Sequence, residues 1–129
     1  MSPRWQPITL GADVPAPVGA YSAGVRAGDF LYVSGQVPRD PRTGATIGAN
    51  VEEQTRQVIR NLETVLTAGA ATLSDVVSTT VYLADPDLWS AFNAVYREMM
   101  PPPFPSRTAV GVSLRGFLVE ISAVAYLGR

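Results

Sequence analysis

The chain has 129 residues and a net charge of -1 at pH 7, and it contains no Cys, His or Lys, so that all ten basic residues are Arg. The length favours one domain over residues 1–129, and the near-neutral charge argues against a nucleic-acid binder, which usually needs a basic face. The missing residue types exclude disulfides, Cys/His zinc sites, Ser–His and Cys–His nucleophile pairs and Schiff-base lysines.

The first third of the chain predicts an irregular lead-in followed by a β-hairpin and a loop. Residues 1–19 are rich in Pro and Gly, which interrupt regular elements. Residues 21–26 and 30–34 predict two short strands, and the Gly-Asp pair between them suits a tight turn. Residues 35–49 carry the prolines and glycines of a loop.

The first helix is predicted to start at Asn50, because Asn50 and Glu53 have the spacing of a capping box. Gly69 is a suitable end for it, and the apolar residues before that end recur at helical spacing: Val58, Ile59, Leu62, Val65 and Leu66. Residues 76–83 are rich in Val and Thr and predict a strand.

The second helix is predicted after Asp85-Pro86, a pair that supplies an N-cap and a first-turn proline. Three prolines at 101–103 end this helix, and its apolar stripe consists of Leu88, Phe92, Val95, Tyr96 and Met99. Two further strands are predicted, from about residue 107 to 112 and from 117 to 127.

The resulting order, ββαβαββ, predicts an α+β fold in which two helices cover one face of a mixed β-sheet. The last strand is largely apolar on both of its sides, as expected for a strand that is buried on both. Only two helices are available, so we expect the second face of the sheet to meet another subunit.

Glu120 is the most unusual residue, because it lies inside the apolar run FLVEISAVAYL. A carboxylate there is costly unless it is paired, hydrogen-bonded or faces a cavity. Partial desolvation would raise its pKa and suit it to proton transfer near neutral pH. The alternative is a rim position at which Glu120 meets water or a structural Arg.

Arg107 is the second candidate, because it lies where the proline-rich segment PPPFPSR passes into a strand. A guanidinium can hold a carboxylate through two parallel hydrogen bonds and stays charged when partly buried. The alternative is a solvated arginine, which is what we expect of Arg26, Arg39, Arg42 and Arg115.

Further residues with the chemistry to line a ligand site are Tyr21, Ser34, Gly35 and Asn93. Backbone amides at the Ser-Gly pair could face an anion, and the tyrosine phenol could donate to a ligand. The alternatives are an ordinary turn at Ser34-Gly35, a packing role for Tyr21 and a solvent-facing amide for Asn93.

Taken together and in order, the segments from Tyr21 to Ala125 resemble the RidA family, also called YjgF or endoribonuclease L-PSP. The likeness lies in PAPVGAYSAGV, LYVSGQVPRDPRTG, VEEQTRQVIRNLETVLTAGA, TTVYLAD, FNAVYREMM, FPSRTAVGV and VEISAVA. The resemblance implies a fold similar to AroH-type chorismate mutase. It also implies a homotrimer around a central barrel, with active sites in the three clefts between subunits.

The resemblance further implies hydrolysis of enamine or imine acids, of the 2-aminoacrylate or 2-iminopropanoate type, to 2-oxo acids and ammonia, without cofactor or metal. Arg107 matches the arginine that clamps the substrate carboxylate, and Glu120 matches the glutamate that positions or activates water. The remaining pocket positions are matched by Tyr21, Ser34, Gly35 and Asn93.

The chain departs from archetypal members at Ala109, where many have a cysteine, and in the loop SLRGF, which is shorter. Both departures bear on substrate preference. Two alternatives stay open: a non-catalytic trimer that binds carboxylate metabolites, and a deaminase dedicated to one pathway, acting on an aminomuconate-like intermediate. The absence of His and Lys argues against a ribonuclease.

The expected partners are a small 2-imino or 2-oxo acid and further copies of the chain. No window approaches the roughly 20 apolar residues of a membrane helix. The N-terminus also lacks the apolar stretch of a signal peptide, and we therefore expect a cytoplasmic protein without a membrane partner.

Overall fold

The structure is a computed structural model that describes residues 4–12 and 14–128. Its strands are β1 (Gln6–Ile8), β2 (Gly24–Ala27), β3 (Phe30–Gln36), β4 (Val76–Leu83), β5 (Ser106–Gly111) and β6 (Val119–Tyr126). Its helices are α1 (Val51–Ala68) and α2 (Trp89–Met99), and short 3-10 turns precede β4 and α2.

The six strands form one mixed sheet in the order β1-β2-β3-β6-β4-β5. Only β4 and β5 pair in parallel, and the other neighbours are antiparallel. The predicted α+β class with a mixed sheet is confirmed. The predicted hairpin turn is also confirmed, since Gly28 has a φ of 59°, a conformation that glycine adopts at little cost.

The lead-in differs from the prediction, because residues 1–19 are not irregular throughout. Strand β1 pairs with β2 through Gln6↔Arg26 and Ile8↔Gly24. Pro7 is tolerated there because β1 is an edge strand with a single neighbour. A three-residue strand that contains a proline leaves no periodic pattern in the sequence. Strand β2 also differs from the prediction, because it begins at Gly24 and not at residue 21.

Helix α1 starts and ends where its capping residues predict. The Asn50 side chain accepts a hydrogen bond from the Glu53 amide at 2.9 Å, and the Glu53 carboxylate accepts one from the Ala49 amide at 2.7 Å. These bonds satisfy backbone donors that the first helical turn leaves without partners. Gly69 caps the C-terminus.

Both helices lie on one face of the sheet, and the core forms between them and that face. Its largest fully buried side chains are Phe92, Leu31, Ile59, Leu62, Leu66, Met100 and Ile121. Within the described ranges, no helix is long and apolar enough to cross a membrane.

The opposite face of the sheet is left uncovered in the single chain and carries large apolar side chains. The Phe30 and Tyr126 rings contact each other there, with centroids 5.3 Å apart. Phe30, Tyr32, Val77, Val110 and Tyr126 are each between 40% and 48% exposed. An exposed apolar surface of this kind is typical of a protein–protein interface.

Candidate functional site

Arg107 lies on β5 and points toward α2. In the parallel register it is paired with Thr79, a buried residue of β4 whose hydroxyl contacts the Tyr96 hydroxyl at 2.8 Å. The Arg107 guanidinium therefore lies on the helix-covered face. Its Cζ is 4.6 Å from the ring centroid of Trp89 and 4.6 Å from that of Tyr96.

Asn93 fixes the orientation of this guanidinium, because its Oδ1 accepts a hydrogen bond from Arg107 Nη1 at 2.9 Å. The aromatic rings stabilise the cation through their π faces. Burial raises the pKa of the Tyr96 phenol, against the opposing effects of its hydrogen bond with Thr79 and of the Arg107 charge. The phenol therefore remains neutral at pH 7 and does not compete as a counter-ion.

Arg107 has no carboxylate partner among residues 4–12 and 14–128, where the ion pair is Arg56 with Glu98. Most of its N–H groups are therefore free for a ligand, and the planar guanidinium suits two-point binding of a carboxylate. The predicted anion-binding role fits this environment.

A cavity of about 250 Å³ opens beside Arg107. Its lining residues are Asn93, Tyr96, Arg97, Phe104, Pro105 and Arg107. The lining contains two arginines and no acidic side chain, so an anion is the ligand that its charge favours.

Glu120 lies on the other face of the sheet. On β6 it is paired with Tyr82 of β4 and alternates with the buried Val119 and Ile121, so its side chain points to the uncovered face. Burial raises the pKa of its carboxyl above the ordinary value of 4.5. No side chain or amide of the described residues donates a hydrogen bond to it, and it keeps its lone pairs for water or a ligand.

Gly35 provides the space that the Glu120 carboxylate occupies. A Cβ built on Gly35 would overlap Glu120 Oε2 and come within 3.0 Å of its Cδ. The strand register between β3 and β6 shifts at this point, between Val33 and Gln36. A glycine is therefore required to leave the acid in this position.

Tyr21 and Gly35 line a second cavity, of about 320 Å³, between the lead-in and the loop that follows β3. Ser34 is engaged within the chain: its hydroxyl donates to the Ser22 carbonyl at 2.7 Å and its amide donates to the Ala23 carbonyl at 3.0 Å. In this chain the Ser34 amide therefore does not face a ligand, contrary to expectation, because it belongs to the hairpin.

The single chain does not bring all six predicted site residues together. Arg107 and Asn93 form one group, and Gly35 and Glu120 form another. Tyr21 lines the second cavity, whose wall also includes Asn61 and Val65 of α1 and does not include Glu120. Strand β4 lies between β5 and β6, which separates Arg107 from Glu120 by about 10 Å of sheet width at the usual strand spacing. Neither cavity is lined by both residues.

Sequence reasoning missed the residues that surround Arg107: Trp89, Tyr96, Arg97 and Phe104. Tyr96 was predicted only as a core residue. Trp89, Phe92 and Tyr96 recur at helical spacing on α2, so one aromatic face was visible in the sequence. What the sequence could not show is that β5 places a cation against that face.

Comparison with known proteins gives consistent matches along nearly the whole chain. A family model described as Endoribonuclease L-PSP matches residues 11–127. A RutC family protein of Pyrococcus horikoshii is 41% identical over 121 residues, with 92% of this chain and 96% of the relative covered. Human 2-iminobutanoate/2-iminopropanoate deaminase is 34% identical over 130 residues, with 99% and 95% covered.

Two solved E. coli structures share the fold. The YjgF gene product has a TM-score of 0.85 and 32% identity, with 94% of this chain and 98% of that chain covered. TdcF, solved with bound serine, has a TM-score of 0.86 and 27% identity, with 95% and 99% covered.

Proposed function

The chain belongs to the endoribonuclease L-PSP family, and from this membership we propose that it hydrolyses reactive 2-imino and enamine acids to 2-oxo acids and ammonia. The observation that carries the proposal is the Arg107 guanidinium, which Asn93 and two aromatic rings hold at a cavity with no acidic residue in its described lining. The human relative that bears the deaminase name supports the reaction. The serine bound to TdcF supports the ligand class, since serine also carries a carboxylate.

The catalytic centre is formed by two copies of the chain. Arg107 and Asn93 of one copy face Tyr21, Gly35 and Glu120 of the next copy. Two features support this arrangement: Arg107 and Glu120 lie on opposite faces of the sheet within one chain, and the face that bears Glu120 is apolar and uncovered. The assembly is a homotrimer whose uncovered sheet faces form a central barrel.

In this centre Arg107 binds the substrate carboxylate and places the C=N carbon near Glu120. The Glu120 carboxylate accepts a proton from a water molecule as the water oxygen bonds to that carbon. From the protonated imine this addition gives a carbinolamine, whose nitrogen takes the proton from Glu120. The C–N bond then breaks, ammonia leaves, and the carbinol O–H gives its proton to the Glu120 carboxylate to yield the 2-oxo acid. Positioning by Arg107 supplies the larger share of the rate, since the iminium carbon is already electrophilic.

The test is turnover of 2-iminobutanoate generated in situ by an amino-acid oxidase. We expect faster release of 2-oxobutanoate with the wild-type protein than without it. Arg107→Ala should lose most of this acceleration by weakening binding, and Glu120→Gln should lose it while still binding 2-oxobutanoate. Binding of 2-oxobutanoate by the wild type without any turnover would instead identify a metabolite-binding protein.

A further inference from the structure

Arg97 is a second cation in the cavity that contains Arg107, and the proposed reaction gives it no role. It lies one helical turn after Asn93 on α2, so the two side chains share a helix face. Its Cζ is 6.0 Å from the ring centroid of Phe104, another lining residue. A monocarboxylic substrate needs only one of the two guanidinium groups.

The acid next to Arg97 in the sequence does not neutralise it. Glu98 points to α1, where both of its carboxylate oxygens accept hydrogen bonds from Arg56. None of the other lining residues is acidic. Within one chain the cavity therefore carries two positive charges and an amide. In the proposed centre the Glu120 carboxylate of the next copy offsets the iminium charge of the substrate, so that two carboxylates on the ligand balance the two guanidinium groups.

From this charge arrangement, and resting on the proposed imine hydrolysis, we infer that the preferred substrates are dicarboxylic 2-imino acids. Arg107 binds the carboxylate next to the C=N group, and Arg97 binds the distal carboxylate. A cavity of about 250 Å³ lies near the lower end of small-molecule sites, which matches a short-chain metabolite. Arg97 is thus a specificity residue and takes no part in proton transfer.

Binding measurements separate this inference from catalysis. Calorimetric titration would compare 2-oxoglutarate with 2-oxobutanoate, the dicarboxylic and monocarboxylic products, on the wild-type protein and on Arg97→Gln. We expect the wild type to prefer 2-oxoglutarate by about tenfold, the usual value of one charge-assisted hydrogen bond. Arg97→Gln should lose that preference and leave the affinity for 2-oxobutanoate within about twofold.

The matched control is Arg60→Gln, which removes the same charge from an exposed position on α1 and should retain the preference. Activity on the imines of glutamate and 2-aminobutanoate should follow the same order in kcat/KM. Equal wild-type affinity for the two oxo acids would overturn the inference. So would an Arg97→Gln variant whose affinity for both oxo acids is lowered by the same factor.

The two proposals fail separately. A diacid preference that depends on Arg97, found in a protein that hydrolyses no imine, would reject the proposed reaction and keep the role of Arg97. Hydrolysis of 2-iminobutanoate with no diacid preference would do the reverse.

Discussion

Gly35 and Glu120 depend on each other, because the Glu120 carboxylate occupies the space that a side chain at position 35 would fill. Gly35→Ala would push the Glu120 carboxylate from its position. The obstructed atom is the end of a flexible side chain, so we expect the free energy of unfolding to change by no more than about 1 kcal/mol. Activity should fall by about a hundredfold, because displacements near 1 Å have effects of that size.

A double-mutant cycle checks the cause of the loss. If Gly35→Ala acts by moving Glu120, it should add little to the loss already produced by Glu120→Gln. Fully multiplicative losses would show that Gly35 acts by another route, such as its contact with a ligand in the second cavity. Imine turnover and urea unfolding of the three variants supply the needed values.

At the level of single residues the sequence indicates candidate chemistry, and the binding and catalytic roles assigned to these residues stay predictions. Arg107 was chosen because an arginine follows a rigid proline-rich segment, and its surroundings suit an anion. The aromatic rings around it and the second cation, Arg97, were not predicted, because they depend on how β5 packs against α2. Ser34 was assigned an amide facing the ligand, but pairing within the hairpin uses that amide.

Helix α1 depends on its first turn for part of its stability. Asn50→Ala removes the acceptor for the Glu53 amide, and we expect it to lower the free energy of unfolding by about 1 kcal/mol. Asn50→Asp keeps an acceptor and should lose much less. Urea denaturation at one fixed protein concentration measures both variants, since assembly makes stability depend on concentration. Equal stability of the alanine and wild-type proteins would contradict the assigned cap.

Elements with strong local signals were predicted well, and those set by distant partners were not. Both helices have an apolar stripe, and α1 has its predicted cap at Asn50. The predicted cap Asp85 instead precedes the 3-10 turn Pro86–Leu88, after which α2 begins at Trp89. Strand β1 forms by pairing with the free edge of β2, and the residues Gln6–Ile8 carry no sequence pattern that predicts a strand. The final strand was predicted from residue 117 but begins at Val119, where pairing with Leu83 starts.

For the whole molecule, the proposed shared centre predicts complementation between inactive variants. Arg107→Ala and Glu120→Gln should each be inactive alone. Mixed by joint unfolding and refolding, they should recover about a quarter of the wild-type activity, because in a closed ring with random mixing one interface in four receives both intact residues.

The control is Arg107→Ala mixed with the double variant Arg107→Ala/Glu120→Gln, in which no interface can contain both groups. Mass spectrometry of the intact assemblies would show that the copies have exchanged. Exchanged assemblies without recovered activity would mean that Arg107 and Glu120 do not serve one centre.

The separation of Arg107 from Glu120 by the sheet also determines how activity responds to dilution. A lone chain holds only half of each centre, so as proposed it is inert toward imines. Specific activity would fall once the protein concentration drops below the subunit dissociation constant. When the sample is concentrated again, the rate of recovery would depend on more than the first power of the protein concentration, because chains must associate. A newly made chain would accordingly gain the proposed hydrolase activity only on meeting other copies, which couples imine hydrolysis to the level of expression.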